Sequence, residues 1–326
     1  MTSPQFSIEE PKPSFWKRYG FIIRILISVI LLGRAIRAID WIRVQEAIPS
    51  IDWKWLILCL IILWMSYSMC SSRWSHIMQA TGFKKSGWDY LRLYFSGGLI
   101  NQGLPTTLGG DSYRAIAAHK QMQNSESHSV SLQQSFLGVL LDRSMGLAGL
   151  CLLGALGIAV SGDVLGAWVP NMGLLLLFIM LLGAVGIAIF LRWEPSQKIY
   201  LLLMRRLKIH QPLPATLATW GFSVLWWQLL VAVLIHCFAL AAFWTCLKAC
   251  HVDAPIEALL IGIPALGLLM LLPISISGWG LRETSLASIL GLWGLDPSLV
   301  ILSSILYGLT ILISFLPGLP RLIHKG

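Results

Sequence analysis

Apolar residues run along this chain in blocks of roughly 12 to 20 positions set apart by short polar stretches, without the one-in, one-out alternation of a barrel strand. Roughly 20 apolar residues are needed for a helix to cross the hydrocarbon core. On that criterion the pattern predicts spans at about 21–39, 55–72, 136–160, 171–191, 220–245, 256–274, 283–295 and 298–317, the seventh being short. Turn residues punctuate them at Ser161-Gly162-Asp163, Glu194-Pro195-Ser196, Ala254-Pro255, Asp296-Pro297 and Pro317-Gly318-Leu319-Pro320. The expected fold is all-α: a polytopic helical membrane protein of about eight spans. Residues 1–20 form a cytoplasmic tail and 21–321 a single transmembrane domain.

Composition narrows the class further. Hydrophobic residues make up 56% of the 326 positions and charged residues 12%, about half the charged share of an ordinary soluble domain. So few charges cannot cover a globule of this size, which excludes a soluble enzyme, a disordered regulator and a nucleic-acid-binding domain. The formal charge of +9 reports orientation instead, because the basic residues lie between the apolar blocks. With both termini in the cytoplasm of an inner-membrane protein, the inside segments carry 17 of the 24 Lys/Arg. The first apolar run holds Arg24, Arg34 and Arg37 and has no cleavage site after it, so it is read as a retained signal anchor. Within 195–219, Ile199, Leu202, Leu203 and Leu207 against Lys198, Arg205, Arg206 and Lys208 predict a basic amphipathic loop lying on anionic lipid.

Two Gly/Pro-broken segments stand out. Residues 101–114 contain Leu104-Pro105-Thr106-Thr107-Leu108-Gly109-Gly110-Asp111-Ser112-Tyr113-Arg114, and residues 272–283 contain Leu272-Pro273-Ile274-Ser275-Ile276-Ser277-Gly278-Trp279-Gly280-Leu281-Arg282-Glu283. Aligned on their prolines, both place Leu one before, a hydroxyl two after (Thr107, Ser275), Gly five after (Gly110, Gly278) and Arg nine after (Arg114, Arg282). Such a pair is what an inverted repeat with two discontinuous, re-entrant helices would leave in a sequence. Pro removes an N–H and Gly permits unwound backbone, which survives at membrane depth only inside protein or along a wet cavity. Helix N-termini, hydroxyls and Arg together suit an anion such as phosphate, with Asp111 a cap candidate. That both segments are tight cytoplasmic turns stays open on sequence alone.

A third polar cluster, Asp142-Arg143, interrupts the third span. Adjacent residues on a helix point about 100° apart, so each needs another partner, expected among the charges of the broken segments. Placement at the inner membrane boundary is the alternative. Gly97, Gly98 and Gly103 are expected to let helices approach. His236, deep in a span, is read as a satisfied core histidine, and the six cysteines as apolar core residues without disulfide or metal.

These motifs, Asn101 with Pro105, Thr106, Thr107, Gly109, Gly110, Asp111 and Arg114, then Asp142-Arg143 and Gly146, then Pro273, Ser275, Ser277, Gly278, Gly280, Arg282 and Glu283, resemble the lysylphosphatidylglycerol synthase transmembrane-domain family. The resemblance implies a flippase-like inner-membrane bundle moving an anionic phospholipid or a polyprenyl-phosphate-linked head group, with those residues at the substrate site. Only five residues follow Arg321, so the soluble aminoacyl-transfer domain of the full-length synthases is not expected. No cofactor, metal or catalytic residue is assigned, since no GxxxxGK[ST], metal-ligand cluster or positioned nucleophile is found. Expected partners are membrane lipids and a second copy of the chain as homo-oligomer, not nucleic acid. The alternatives are a membrane-embedded lipid-modifying transferase or phosphatase, and a non-transporting scaffold for a soluble synthase.

Overall fold

A computed structural model describes residues 15–83, 85–103, 108–123, 131–161, 222–272 and 274–323. The elements are α1 (Phe15–Arg37), α2 (Trp41–Ala47), α3 (Trp53–Ala80), α4 (Gly87–Gly103), α5 (Leu108–Gln123), α6 (Leu132–Val160), α7 (Phe222–Ala249), α8 (Ile256–Leu269), α9 (Leu281–Leu290), α10 (Pro297–Ser314) and α11 (Leu319–Ile323). Short 3-10 turns at Ile48–Ser50, Gly291–Trp293 and Leu316–Gly318 complete them, and there is no strand among the described residues. Segments Trp53–Ala80, Leu132–Val160, Ser223–Ala249 and Pro297–Ile323 are long and apolar enough to cross a membrane. The chain is a multi-pass α-helical membrane protein. The predicted span 171–191 and the basic loop 195–219 lie outside the described residues.

Caps decide where several helices start. Asp40 accepts from the N–H groups of Ile42 and Arg43 to open α2, and Asp52 accepts from Lys54 to open α3. Asp296 accepts from Ser298 at the start of α10, and its other oxygen pairs with Arg43. Asp40 and Asp52, in the segment after the first span, therefore serve as helix caps. Ser131 and Gln134 form a reciprocal capping box, which starts α6 four residues before the expected 136. The second predicted span also lengthens, since α3 continues past residue 72 until Thr81-Gly82, where Gly82 turns to φ 98°.

Helix α3 is central, packing on α7, α6, α4 and α10. Leu63, Phe243, Leu247, Leu259, Leu286, Leu290 and Val300 form the main core, and Trp74, Met78, Phe83, Tyr90, Leu93, Ala115 and Val139 a second one under α4 and α5. Large apolar side chains such as Ile57, Ile61, Leu140, Trp227 and Leu230 stay exposed, as a lipid-facing surface requires.

Two regions depart from the predicted spans. The stretch between the second and third predicted spans, residues 73–135, has among its described residues the end of α3 and a hairpin of α4 and α5 folded back into the bundle. The seventh span, 283–295, is only α9 followed by a 3-10 turn ended by Gly294 at φ 74°. Ten residues rise about 15 Å, half the hydrocarbon thickness. With α8, which ends at Leu269 rather than 274, α9 makes a second broken hairpin.

The α4–α5 crossing is close. A Cβ placed on Gly110 would lie 2.0 Å from the Gly97 carbonyl oxygen, and one on Gly98 would lie 2.1 Å from Phe315. Gly103, by contrast, has nothing within 4 Å. Beyond α10, Gly318 packs on the backbone of Phe95 and Ser96, and Phe315 stacks on Tyr67 at 4.4 Å, so the C-terminal segment braces α4.

Substituting Gly110→Ala should destabilise the detergent-extracted protein by roughly 1–3 kcal/mol through overpacking against backbone. Gly103→Ala should leave stability unchanged or slightly raised. Thermal unfolding followed by size-exclusion would show both, and equal stability of the two variants would contradict the close crossing.

Candidate functional site

Among the described residues, two buried charge clusters and a cavity organise the polar interior. In the first, α3 supplies Arg73, α5 supplies Asp111 and Arg114, and α6 supplies Asp142 and Arg143. Arg73 donates to Asp142 from Nε at 3.0 Å and from Nη2 at 2.9 Å, and also to the Asp142 carbonyl at 3.1 Å. Arg114 donates to Asp111 at 2.7 Å and places Nη1 3.7 Å from Asp142. Arg143 grips both Asp111 oxygens, at 2.7 and 2.8 Å. The Arg114 guanidinium lies between Trp74 and Tyr94, 4.8 and 4.9 Å from their ring centres.

The adjacency problem of Asp142-Arg143 is thus solved across three helices, with the two side chains turned to different partners. Asp111 does not cap α5. Its carboxylate belongs to the two arginines, and the N–H of Gly110 is instead taken by the Asn101 side chain at 2.7 Å, from the other arm of the hairpin.

The second cluster sits at the start of α9. Glu283 is fully buried and accepts from the Gly280 N–H at 2.6 Å and from Arg282 at 2.7 and 3.0 Å. Ser304 on α10 lies 3.3 Å from both partners, and the Trp279 ring covers the Arg282 guanidinium at 4.8 Å. The guanidinium lies on Gly308, where a Cβ would come within 1.9 Å of Nη2. Backbone at Ser277, Gly278 and Gly280 is left-handed, with φ 50°, 79° and 82°, so neither helix can run through this segment. α1 braces it: Ser28 accepts from the Ile276 N–H at 2.8 Å, and Gly280 abuts Leu31 and Leu32.

The two broken hairpins meet directly. The Ser277 hydroxyl is shared between the carbonyls of Asn101 and Gln102, at 2.9 and 2.6 Å. A cavity of about 230 Å³ opens at this seam, with Gln102, His236, Ser277, Arg282 and Tyr307 as its polar wall and Leu150, Ile263, Leu266, Met270 and Ile311 among its apolar one. His236 contacts the Gly146 carbonyl through Nε2 at 2.8 Å, and lines the cavity as well.

Of the residues singled out from sequence, Asn101, Gly109, Gly110, Asp111, Arg114, Asp142 and Arg143 gather around the first hairpin. Ser275, Ser277, Gly278, Gly280, Arg282 and Glu283 gather around the second, with Ser275 buried. Pro105, Thr106, Thr107 and Pro273 lie outside the described residues. Arg282 and Ser277 line the cavity; Arg114 does not. Sequence reasoning missed Arg73, because the second span was ended at residue 72. The uninterrupted helical stretch as far as Thr81-Gly82 was the available signal. It also missed Gln102, Tyr307 and Gly308, ordinary residue types that only the packing brings to the seam.

Residues 21–318 match the family described as Lysylphosphatidylglycerol synthase TM region. The chain belongs to that family. Membership places this LPG synthase TM protein among membrane proteins concerned with lipid modification or translocation. No curated protein matches the chain.

Removing one partner of a buried ion pair leaves an uncompensated charge, costing about 3–5 kcal/mol. Asp142→Asn should therefore strongly destabilise this LPG synthase TM protein, and Asp142→Leu combined with Arg73→Met should recover most of the loss. Melting curves of the three proteins in one detergent would check it, and a double variant no better than Asp142→Asn would contradict the pairing.

Proposed function

We propose that the protein moves an anionic lipid, or a lipid-linked anionic head group, between the leaflets of the inner membrane, with the seam cavity as its head-group site. The observation that carries this reading is a buried arginine, Arg282, in the wall of an otherwise largely apolar cavity where two broken helical hairpins meet. Ionisable groups and interrupted helices are costly within a membrane and typically mark substrate paths. Arg282 would meet the phosphate, since it stands in the cavity wall while Glu283, its ion-pair partner, is not among the described lining residues. Asp111, Arg114, Asp142 and Arg143 would act as positioning residues, holding the first hairpin against α3 and α6 so that Asn101 and Gln102 reach Ser277.

Movement would be downhill or coupled to an ion gradient, as the sequence carries no phosphate-binding loop. The basic segment 195–219 would rest on anionic lipid at the cytoplasmic face, where both termini also lie.

The test keeps the local charge balanced. Arg282→Gln together with Glu283→Gln retains an acceptor for the Gly280 N–H, yet removes a charge-assisted contact worth about 1.5–3 kcal/mol to a bound phosphate. Reconstituted into vesicles with fluorescent phosphatidylglycerol, and followed by dithionite quenching, the double variant should translocate at least about ten-fold more slowly than the native chain. Native rates in the double variant would overturn the assignment of the cavity.

A further inference from the structure

His236, on α7, stands between the two charge clusters. Its Nε2 meets the Gly146 carbonyl at 2.8 Å, and a Cβ on Gly146 would lie 3.4 Å from Nη2 of Arg73, so the imidazole touches the turn of α6 that lies under Arg73. The same ring lines the seam cavity together with Arg282. On both sides the charges facing it are paired. Arg73 on α3 holds Asp142 on α6, and Arg282 on α9 holds its neighbour Glu283. α10 adds Tyr307 to the cavity wall and α4 the neutral amide of Gln102, while α8 brings only apolar residues to it among those described.

When the imidazole is neutral it donates from Nε2 to the Gly146 carbonyl, and the geometry leaves Nδ1 to receive a proton without breaking that bond to α6. Arg282 and Glu283 carry no net charge as a pair, so a phosphate that engages Arg282 adds its own full negative charge to the site. A space of about 230 Å³ is only roughly 8 Å across, which keeps any phosphate inside it within reach of the imidazole. An anion that close favours the charged form of a histidine. This increment adds to whatever else the wall contributes, so it holds whichever other groups border the cavity. Linkage makes the effect reciprocal: the protonated ring binds the anion more tightly by the same factor.

Taking the cavity as the head-group site, we propose that His236 takes up a proton as the lipid phosphate binds, so that anion and proton cross the membrane together. The proton comes from water, forms an N–H bond at Nδ1 and returns to water when the phosphate leaves. The cargo is then a neutral unit of one lipid anion and one proton. Net movement follows the pH gradient, and the transmembrane potential exerts no net pull on it.

Isothermal titration of the detergent-solubilised full chain with dioctanoyl phosphatidylglycerol tests this, because a phosphodiester stays ionised across the histidine range and any proton taken up belongs to the protein. At neutral pH in PIPES, HEPES and Tris, buffers of different ionisation enthalpy, the binding heat should vary with the buffer as proton uptake requires. Affinity should rise at least about ten-fold from about pH 8.5 to about pH 5.5. His236→Gln keeps an amide donor for the Gly146 carbonyl and should flatten both dependences while the lipid still binds; His236→Asn gives the same reading should Gln disturb the packing. A native chain whose binding heat ignores the buffer and whose affinity ignores pH would overturn the coupling and leave the head-group site standing. Dependences that persist in the folded variants would place the proton elsewhere and overturn it too, as would loss of binding at about pH 8.5 in a variant that elutes as the native chain does, since His236 would then act other than through its charge. Absence of binding by the native chain at every pH would overturn both readings.

Discussion

Burying a charge where water cannot follow is what the rest of this bundle is arranged around. Two carboxylates and three guanidiniums meet between α3, α5 and α6, and each buried one is tolerable only because an opposite charge from another part of the chain lies within hydrogen-bond reach. That requirement fixes more than electrostatics. Arg73 can reach Asp142 only if α3 continues to Ala80. Asp111 can reach Arg143 only if α5 folds back under α6. The α4–α5 hairpin is therefore held in the bundle by paired charges on one side and by the glycine contact of Gly97 with Gly110 on the other.

The second hairpin is built differently. Its start depends on one carboxylate, Glu283, which at once takes the Gly280 N–H and holds Arg282, and on left-handed backbone at positions 277, 278 and 280. α1 supplies the brace through Ser28. The first hairpin thus owes its place to charges shared with neighbouring helices, the second to a pair contained within its own first turn. The two are joined by the Ser277 hydroxyl, the one hydrogen-bond link between them among the described residues.

Much of this was legible in the sequence, because the features that disrupt a helix are local. Pro105 and Pro273 with their glycines announced two breaks, and Asp142-Arg143 announced charges needing distant partners. Span ends were less legible: caps such as Ser131 with Gln134 move a boundary by several residues without altering hydropathy. The hairpin of α4 and α5 was hidden because its helices are too short and polar to register as spans, so hydropathy assigned them to a loop. Gln102, Tyr307 and Gly308 carried no sequence signal at all, since their part at the seam arises from which helices pack together.

Gly308 shows how far such packing reaches. The Arg282 guanidinium occupies the space in which any side chain at position 308 would have to stand, although the two residues belong to different helices. The identity of residue 308 is therefore constrained by what α9 carries. Among related chains, a larger residue at this position should appear together with a shorter side chain in place of Arg282, so that the two positions vary as one.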